Sequence, residues 1–244
     1  MTAIPEPAAQ LSVLLYHEIG PQPRPTSNLD CFCTRERFRE QMLYLKERRI
    51  PVLPADSACE LLLQGGRLAA NAAVLTFDDG DTGFLEHALP ILAEFGFPAT
   101  VFAVAGQLGS NAGWVKDPRN AIPLMTASQL QSLAAHGIDV GSHSLSHRKL
   151  TELPHTEAVR ELRGSKALLE DVLGRAITAF AYPHGRHDAS VMRQAESAGY
   201  RYAYSTDGDR AIAGEADRFR LPRKYITCHD DLHAFALRLE SGHA

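Results

Sequence analysis

Ala72-Ala73-Val74-Leu75-Thr76-Phe77-Asp78-Asp79-Gly80 decides the fold class. Ala72 to Phe77 is an apolar run broken only by Thr76 and reads as a buried strand. Two adjacent carboxylates and a glycine follow at once. Two such charges leaving a buried strand repel each other unless something positive lies beside them. A metal ion lets one ligate while the other stays close as a base. Taken alone, Asp-Asp-Gly also suits a solvated turn.

Upstream, Leu11 to Tyr16 reads as another buried strand, and Gly20 to Asp30, with three prolines, as a loop. A helix is predicted over Thr34 to Arg48, with Phe38, Met42 and Leu45 along one face. Ile50 to Leu53 reads as a short strand. Ser57 and Glu60 form a capping-box pattern that opens a helix stopped by Gly65-Gly66. Downstream, a helix over Phe84 to Phe95 is bent at Pro90 and ended by Gly96. Helices from the Thr126/Gln129 capping box to Gly137, over Thr156 to Leu173, from Asp188 to Gly199 and over Leu232 to Leu239 follow. They alternate with strands at Ala99–Ala105, Ile138–Gly141, Thr178–Tyr182, Tyr200–Ser205 and Arg223–Thr227. Such alternation predicts a parallel sheet with helical crossovers, either open and doubly wound or closed into a (β/α) barrel.

The chain has 244 residues, a length that suits one α/β domain over 1–244, with residues 1–10 as a flexible tail. Lys and Arg number 25 against 29 Asp and Glu, with no basic block, which excludes a phosphate-tracking nucleic-acid binder. No apolar run approaches the ~18 residues of a membrane span. The first ten residues lack a basic region followed by an apolar one, so no secretory signal is read and a cytoplasmic location is expected. Cys31, Cys33, Cys59 and Cys228 lack zinc-site spacing and read as reduced thiols. No G-x-G-x-x-G or P-loop pattern occurs.

Polar residues crowd at the C-terminal ends of the predicted strands, where βα loops build active sites. His143-Ser144-Leu145-Ser146-His147 brings two imidazoles to one side if the segment turns helically. With one aspartate they make a three-ligand site with an open position, the arrangement of catalytic zinc. Tyr182-Pro183-His184-Gly185 forms a rigid turn able to aim a backbone N–H into a pocket, or an ordinary strand-to-helix turn. His17, at the end of the first strand, can enter the same pocket or serve structure alone.

Thr76-Phe77-Asp78-Asp79-Gly80 with His143-Ser144-x-x-His147, about 60 residues on, resembles the polysaccharide deacetylase family, carbohydrate esterase family 4 or NodB-homology domain. The likeness runs from Leu11 to about Phe235. Tyr16-His17, Phe97 to Phe102, Tyr182-Pro183-x-Gly185 and Leu221-Pro222-Arg223 resemble its bacterial exopolysaccharide branch. The resemblance implies an irregular (β/α)7 barrel that hydrolyses N-acetyl amides, or O-acetyl esters, on sugars. It implies a divalent metal, zinc first and cobalt, nickel, manganese or iron as others, held by Asp79, His143 and His147. Asp78 would be the general base and His184 the backbone oxyanion donor, with Tyr182 and Pro183 against the substrate.

Many members carry Arg where this chain has Ala181, so Arg223 stands as the candidate partner of Asp78. His17 and His229 are rival candidates for the general acid, with His184 third behind them, and Asp207 partly matches the carboxylate that orients that histidine in the family. The expected partner is an acetylated carbohydrate, a precursor or short oligosaccharide if the enzyme is cytoplasmic; no oligomeric state follows. The alternatives are a same-fold hydrolase of a non-sugar amide or cyclic C–N bond and a non-catalytic carbohydrate-binding relative.

Overall fold

The structure, a computed structural model, describes residues 10–23, 29–66, 68–208 and 218–240. The expected tail lies outside these residues except for Gln10, as does part of the loop predicted over Gly20 to Asp30. The described chain runs β1 (Leu11–Tyr16), β2 (Glu18–Gly20), β3 (Phe32–Thr34), α1 (Arg35–Glu47), α2 (Ala55–Leu63), β4 (Ala72–Phe77), α3 (Leu89–Phe95) and β5 (Ala99–Ala103). It continues with α4 (Ala127–Leu133), β6 (Ile138–Ser142), α5 (His155–Leu173), β7 (Ala179–Ala181), α6 (Ala189–Ser197), β8 (Tyr202–Tyr204), β9 (Lys224–Tyr225) and α7 (Leu232–Glu240). No helix among the described residues is long and apolar enough to cross a membrane.

Seven strands form one parallel sheet in the order β8-β7-β6-β5-β4-β1-β9. β1 and β4 pair from Leu11↔Ala72 to Tyr16↔Phe77, so their C-terminal ends finish level. A bridge from Tyr204 to Leu221, and the pairing of Lys224 and Tyr225 with Leu14 and Leu15, carry the chain from the β8 edge to the β1 edge. The result is the irregular (β/α)7 barrel.

The alternation of strand side chains sorts the apolar residues into two cores. Leu14, Tyr16, Ala73, Leu75, Phe77, Val101 and Phe180 face outward under the helices, where α1 supplies Phe38, Met42 and Leu45. Leu11, Val13, Val74, Phe102, Ala179, Ala181 and Tyr204 face inward, and α2 adds Ala58 and Cys59 to that inner core. Gly141 is required on the inner face, because a Cβ there would overlap the Phe102 ring.

Three local expectations are corrected. Ile50–Leu53 reduces to one bridge, Val52↔Ala73, because Pro51 and Pro54 on either side have no N–H to give a ladder. α2 starts at Ala55 directly after Pro54, so Ser57 sits inside the first turn and not at the cap. The helix predicted from Phe84 opens with a π-helical turn, Phe84–Ala88, and becomes α-helical at Leu89, so the irregularity lies just before Pro90, which has no N–H to continue the ladder. β2 and β3, three residues each, are too short to show a period in sequence.

Candidate active site

Thr76 and Asp78 continue the inward row begun by Ala72 and Val74. The Asp78 N–H still donates to the Tyr16 carbonyl at 3.0 Å, so the carboxylate leaves the sheet at a fixed height. The next residue would face outward by alternation. Asp79 instead adopts φ 72° and Gly80 φ 78°. This left-handed turn brings both carboxylates to one cavity, at a backbone cost normally borne only at functional or tightly constrained sites.

β6 delivers the histidines. Ser142 faces outward and bonds Ser165 of α5 at 2.9 Å, so His143 faces inward. His143 Nδ1 lies 2.8 Å from the Ala181 carbonyl, so it carries the proton and leaves the Nε2 lone pair free. His147 arrives by a loop with left-handed Ser144 (φ 67°) and His147 (φ 62°), not by the helical turn expected from the spacing. Buried Glu161 of α5 holds that loop: its carboxylate accepts the Leu145 N–H (3.0 Å), the Ser146 N–H (2.9 Å) and the Ser146 hydroxyl (2.6 Å).

His143 Nε2 and His147 Nε2 stand 3.5 and 3.4 Å from Asp79 Oδ1. One donor atom from each of the three residues falls within 4.8 Å of the others. Asp79 Oδ1 is buried without a hydrogen-bond partner among the described residues. Burial, then the charges of Asp78 and Asp81, raises the Asp79 carboxyl well above its usual range. Burial, then His143 and His184, lowers His147 to about 2, so its ring is neutral and keeps a lone pair. An orphaned carboxylate oxygen beside two neutral imidazoles fits a divalent cation, with an N2O donor set and room for water.

Arg223 comes from the segment that closes the barrel and lies inside it. Its Nη1 and Nη2 each donate to one oxygen of Asp78 at 2.7 Å. Its Nε donates to the Ser205 carbonyl at 3.1 Å, and the guanidinium carbon lies 5.5 and 5.6 Å from the ring centres of Phe102 and Tyr204. Ala181 is part of the same inner core. Burial alone would raise Asp78; Arg223 and then His143 outweigh it and hold the carboxyl well below the usual range.

Residues 65–203 match the family model described as polysaccharide deacetylase. The chain belongs to the polysaccharide deacetylase family. It is 27% identical to YxkH of Bacillus subtilis over 236 residues, 97% of this chain and 78% of that protein. The poly-beta-1,6-N-acetyl-D-glucosamine N-deacetylase of Staphylococcus epidermidis is 22% identical over 203 residues, 80% of this chain and 68% of that one. Among solved structures, the Streptococcus pyogenes deacetylase PplD in complex with acetate superposes with TM-score 0.81 at 22% identity, covering 96% of this chain and 99% of its own. IcaB from Ammonifex degensii gives 0.77 at 22%, covering 97% and 98%. Both likenesses show the barrel fold.

The polysaccharide deacetylase cavity, about 300 Å³, is lined by Asp78, Asp79, His143 and His147 and also by His17, Trp114, His184 and Tyr225. His17 points inward because Tyr16 points outward, where its hydroxyl donates to Gln41 Oε1 at 2.9 Å. His184 occupies the turn Pro183–Gly185 with φ 58°, its ring centre 4.6 Å from that of His147. Trp114, the one tryptophan of the chain, lies 4.0 Å from His147 ring to ring.

Four expected positions are corrected. His229 is exposed and does not line the cavity, because the chain turns at Thr227, whose N–H donates to Asp230 at 2.7 Å. Asp207 faces His187 at 3.7 Å and neither acid candidate. Tyr182 and Pro183 are buried below the cavity; the Tyr182 hydroxyl donates to the Phe219 carbonyl at 3.0 Å, so these residues hold the turn and do not face a substrate. Trp114, Tyr225 and Glu161 carried no motif; the lone tryptophan was the one available signal.

Proposed function

We propose that this protein hydrolyses the N-acetyl group of an acetylated sugar, oligosaccharide or polysaccharide precursor with the help of a divalent metal. Membership of the family supports sugar deacetylation, a hydrolase reaction on a carbohydrate amide or ester. The observation that carries the finer reading is the meeting of Asp79, His143 and His147 beside a second carboxylate that is not needed as a ligand. Asp79, His143 and His147 would hold the ion, zinc first. When bound, such an ion supplies Lewis-acid polarisation and lowers the pKa of water toward about 7.

The chain's own groups divide the remaining work. Asp78 accepts a proton from the attacking water. The Arg223 fork fixes which way the Asp78 lone pairs point. The His184 backbone N–H, in a turn that lines the cavity, would donate to the oxygen that gains negative charge, where one donor is worth about 3 kcal/mol. His17 returns a proton to the departing nitrogen. Burial lowers His17 to about 4, against a pull from Asp78, so the resting ring is neutral. Negative charge on the tetrahedral adduct raises its proton affinity when the proton is needed. An amide nitrogen leaves only when protonated, so an acid inside the cavity supports amide over ester.

A β-1,6-linked N-acetylglucosamine oligomer is the first substrate to try, since the staphylococcal relative is named for that polymer. Acetate release is expected from the full chain, lost with a chelator and restored by zinc or cobalt. Undiminished release from chelated, metal-free protein would refute the metal reading.

A further inference from the structure

Tyr225 lies at the cavity wall on β9 and no step above uses it. Its hydroxyl oxygen is 3.2 Å from His17 Nε2, and the two rings stack with centres 5.1 Å apart and planes 21° off parallel. On its other side Tyr225 Oη is 4.0 Å from Cys31 Sγ. His17 Nδ1 is buried and has no hydrogen-bond partner among the described residues.

We propose that Tyr225 is a positioning residue for His17: the ring stack, with the chain His17 Nε2–H to Tyr225 Oη and Oη–H to Cys31 Sγ, keeps the resting proton on Nε2 and holds the imidazole in one orientation at the cavity wall. This rests on the reading of His17 as the general acid. A tyrosine hydroxyl has one proton to give and lone pairs to accept. With Sγ as the acceptor of that proton, Oη is free to accept the Nε2–H. The stack fixes the ring plane, and the hydrogen bond fixes rotation within it, so both degrees of freedom that would misdirect the imidazole are closed. Burial, then Cys31 and Asp78, raises the Tyr225 hydroxyl well above its usual range, so it stays protonated. In the reaction the C–O bond to water forms as Asp78 takes one water proton; His17, having taken up a proton from solvent, passes it to nitrogen as the C–N bond breaks, and Asp78 returns its proton to solvent. Acetate and a free amine leave, and no outside oxidant or reductant is involved.

The test compares Tyr225→Phe with wild type on two substrates. Phenylalanine keeps the stack and removes the hydroxyl. One substrate is an N-acetylglucosamine oligomer. The other is 4-nitrophenyl acetate, whose leaving group departs without a proton. For Tyr225→Phe, kcat on the amide is expected to fall at least tenfold more than kcat on the ester, with amide KM within about twofold. In 15N spectra of the zinc-loaded full chain, wild-type His17 is expected to carry its proton on Nε2. A resting proton on Nδ1, or equal losses on both substrates, overturns the inference. His17→Asn separates this inference from the reading beneath it. If His17→Asn loses the amide selectively and Tyr225→Phe does not, the tyrosine role alone falls. If His17→Asn deacetylates like wild type, the general-acid reading itself has failed.

Discussion

Arg223 and Asp78 form a two-point ion pair inside the barrel, both hydrogen bonds 2.7 Å long and both side chains almost fully buried. The pair joins the last-closing segment of the barrel to the strand end that carries the proposed base. Breaking a buried pair leaves an unpaired charge, which costs about 3–5 kcal/mol. Arg223→Ala is therefore expected to lower Tm sharply, as calorimetry on the metal-free chain would show. Arg223→Lys keeps the charge but not the fork. It should fold, retain bound metal, and lose about 100-fold in kcat through misplacement of the Asp78 lone pairs. A lysine variant with wild-type kcat would remove orientation from the role of Arg223.

Asp78→Asn should keep metal and lose turnover. The amide still accepts from Arg223 through its oxygen, and the three proposed ligands are untouched. Loss of a general base costs about 100- to 10,000-fold. Metal content by elemental analysis and acetate release are the paired measurements. Loss of metal in this variant would make Asp78 a ligand.

Glu161→Gln tests the support of the histidine loop. One carboxylate accepts three donors from Leu145 and Ser146. The amide presents only one acceptor oxygen, so at least one of those donors is stranded. Groups that orient a ligand loop typically alter metal affinity by about 10- to 100-fold. Zinc affinity by chelator competition is expected to weaken in that range while the metal-free Tm moves less than in Arg223→Ala. Unchanged zinc affinity would show that the left-handed residues Ser144 and His147 hold the loop by themselves.

The part of the site legible in sequence is the part that local rules govern. Asp78-Asp79-Gly80 and His143 to His147 follow buried strands directly, and strand parity sends His17, Asp78 and His143 inward. The left-handed φ of Asp79 is the exception that parity cannot supply, and it is what lets adjacent carboxylates share a cavity. Glu161 reads as one more polar helix residue until the fold lays α5 against the loop. Near the last strand His229 draws the eye and Tyr225 carries no signal. The turn at Thr227 to Asp230 reverses their places, sending His229 to solvent while Tyr225 lines the cavity. β2, β3 and the π-turn before Pro90 are shorter than any periodic signal.

Stability should fall in acid with a sign set by the buried histidine. His17 is lowered to about 4 by burial, while an unfolded histidine titrates near 6.5. Between about pH 6.5 and pH 4 the unfolded chain binds a proton that the folded ring refuses, so stability is full above that window and declines as pH drops through it. His143 and His147, also lowered, add to the slope. Asp78 acts lower: held below its usual value, it contributes fully above about pH 4 and its contribution is lost below. His17→Phe is expected to show a smaller drop in Tm between pH 7 and pH 4 than wild type, both metal-free. An equal drop would place His17 in water.

Trp114 offers an optical readout of the ligand assignment. It is the only tryptophan, and its ring centre is 4.0 Å from that of His147. Placing a dication on His147 polarises an imidazole in contact with the indole, so the emission must respond locally. Titrating metal-free protein with zinc is expected to change the emission and saturate at one equivalent. Asp78→Asn should follow the same curve, because its charge is not required as a ligand. His147→Ala should give no saturable change and hold no zinc. If His147→Ala titrates as wild type does, the ion sits elsewhere in the cavity, and the donor set of Asp79, His143 and His147 is wrong even if the enzyme needs metal.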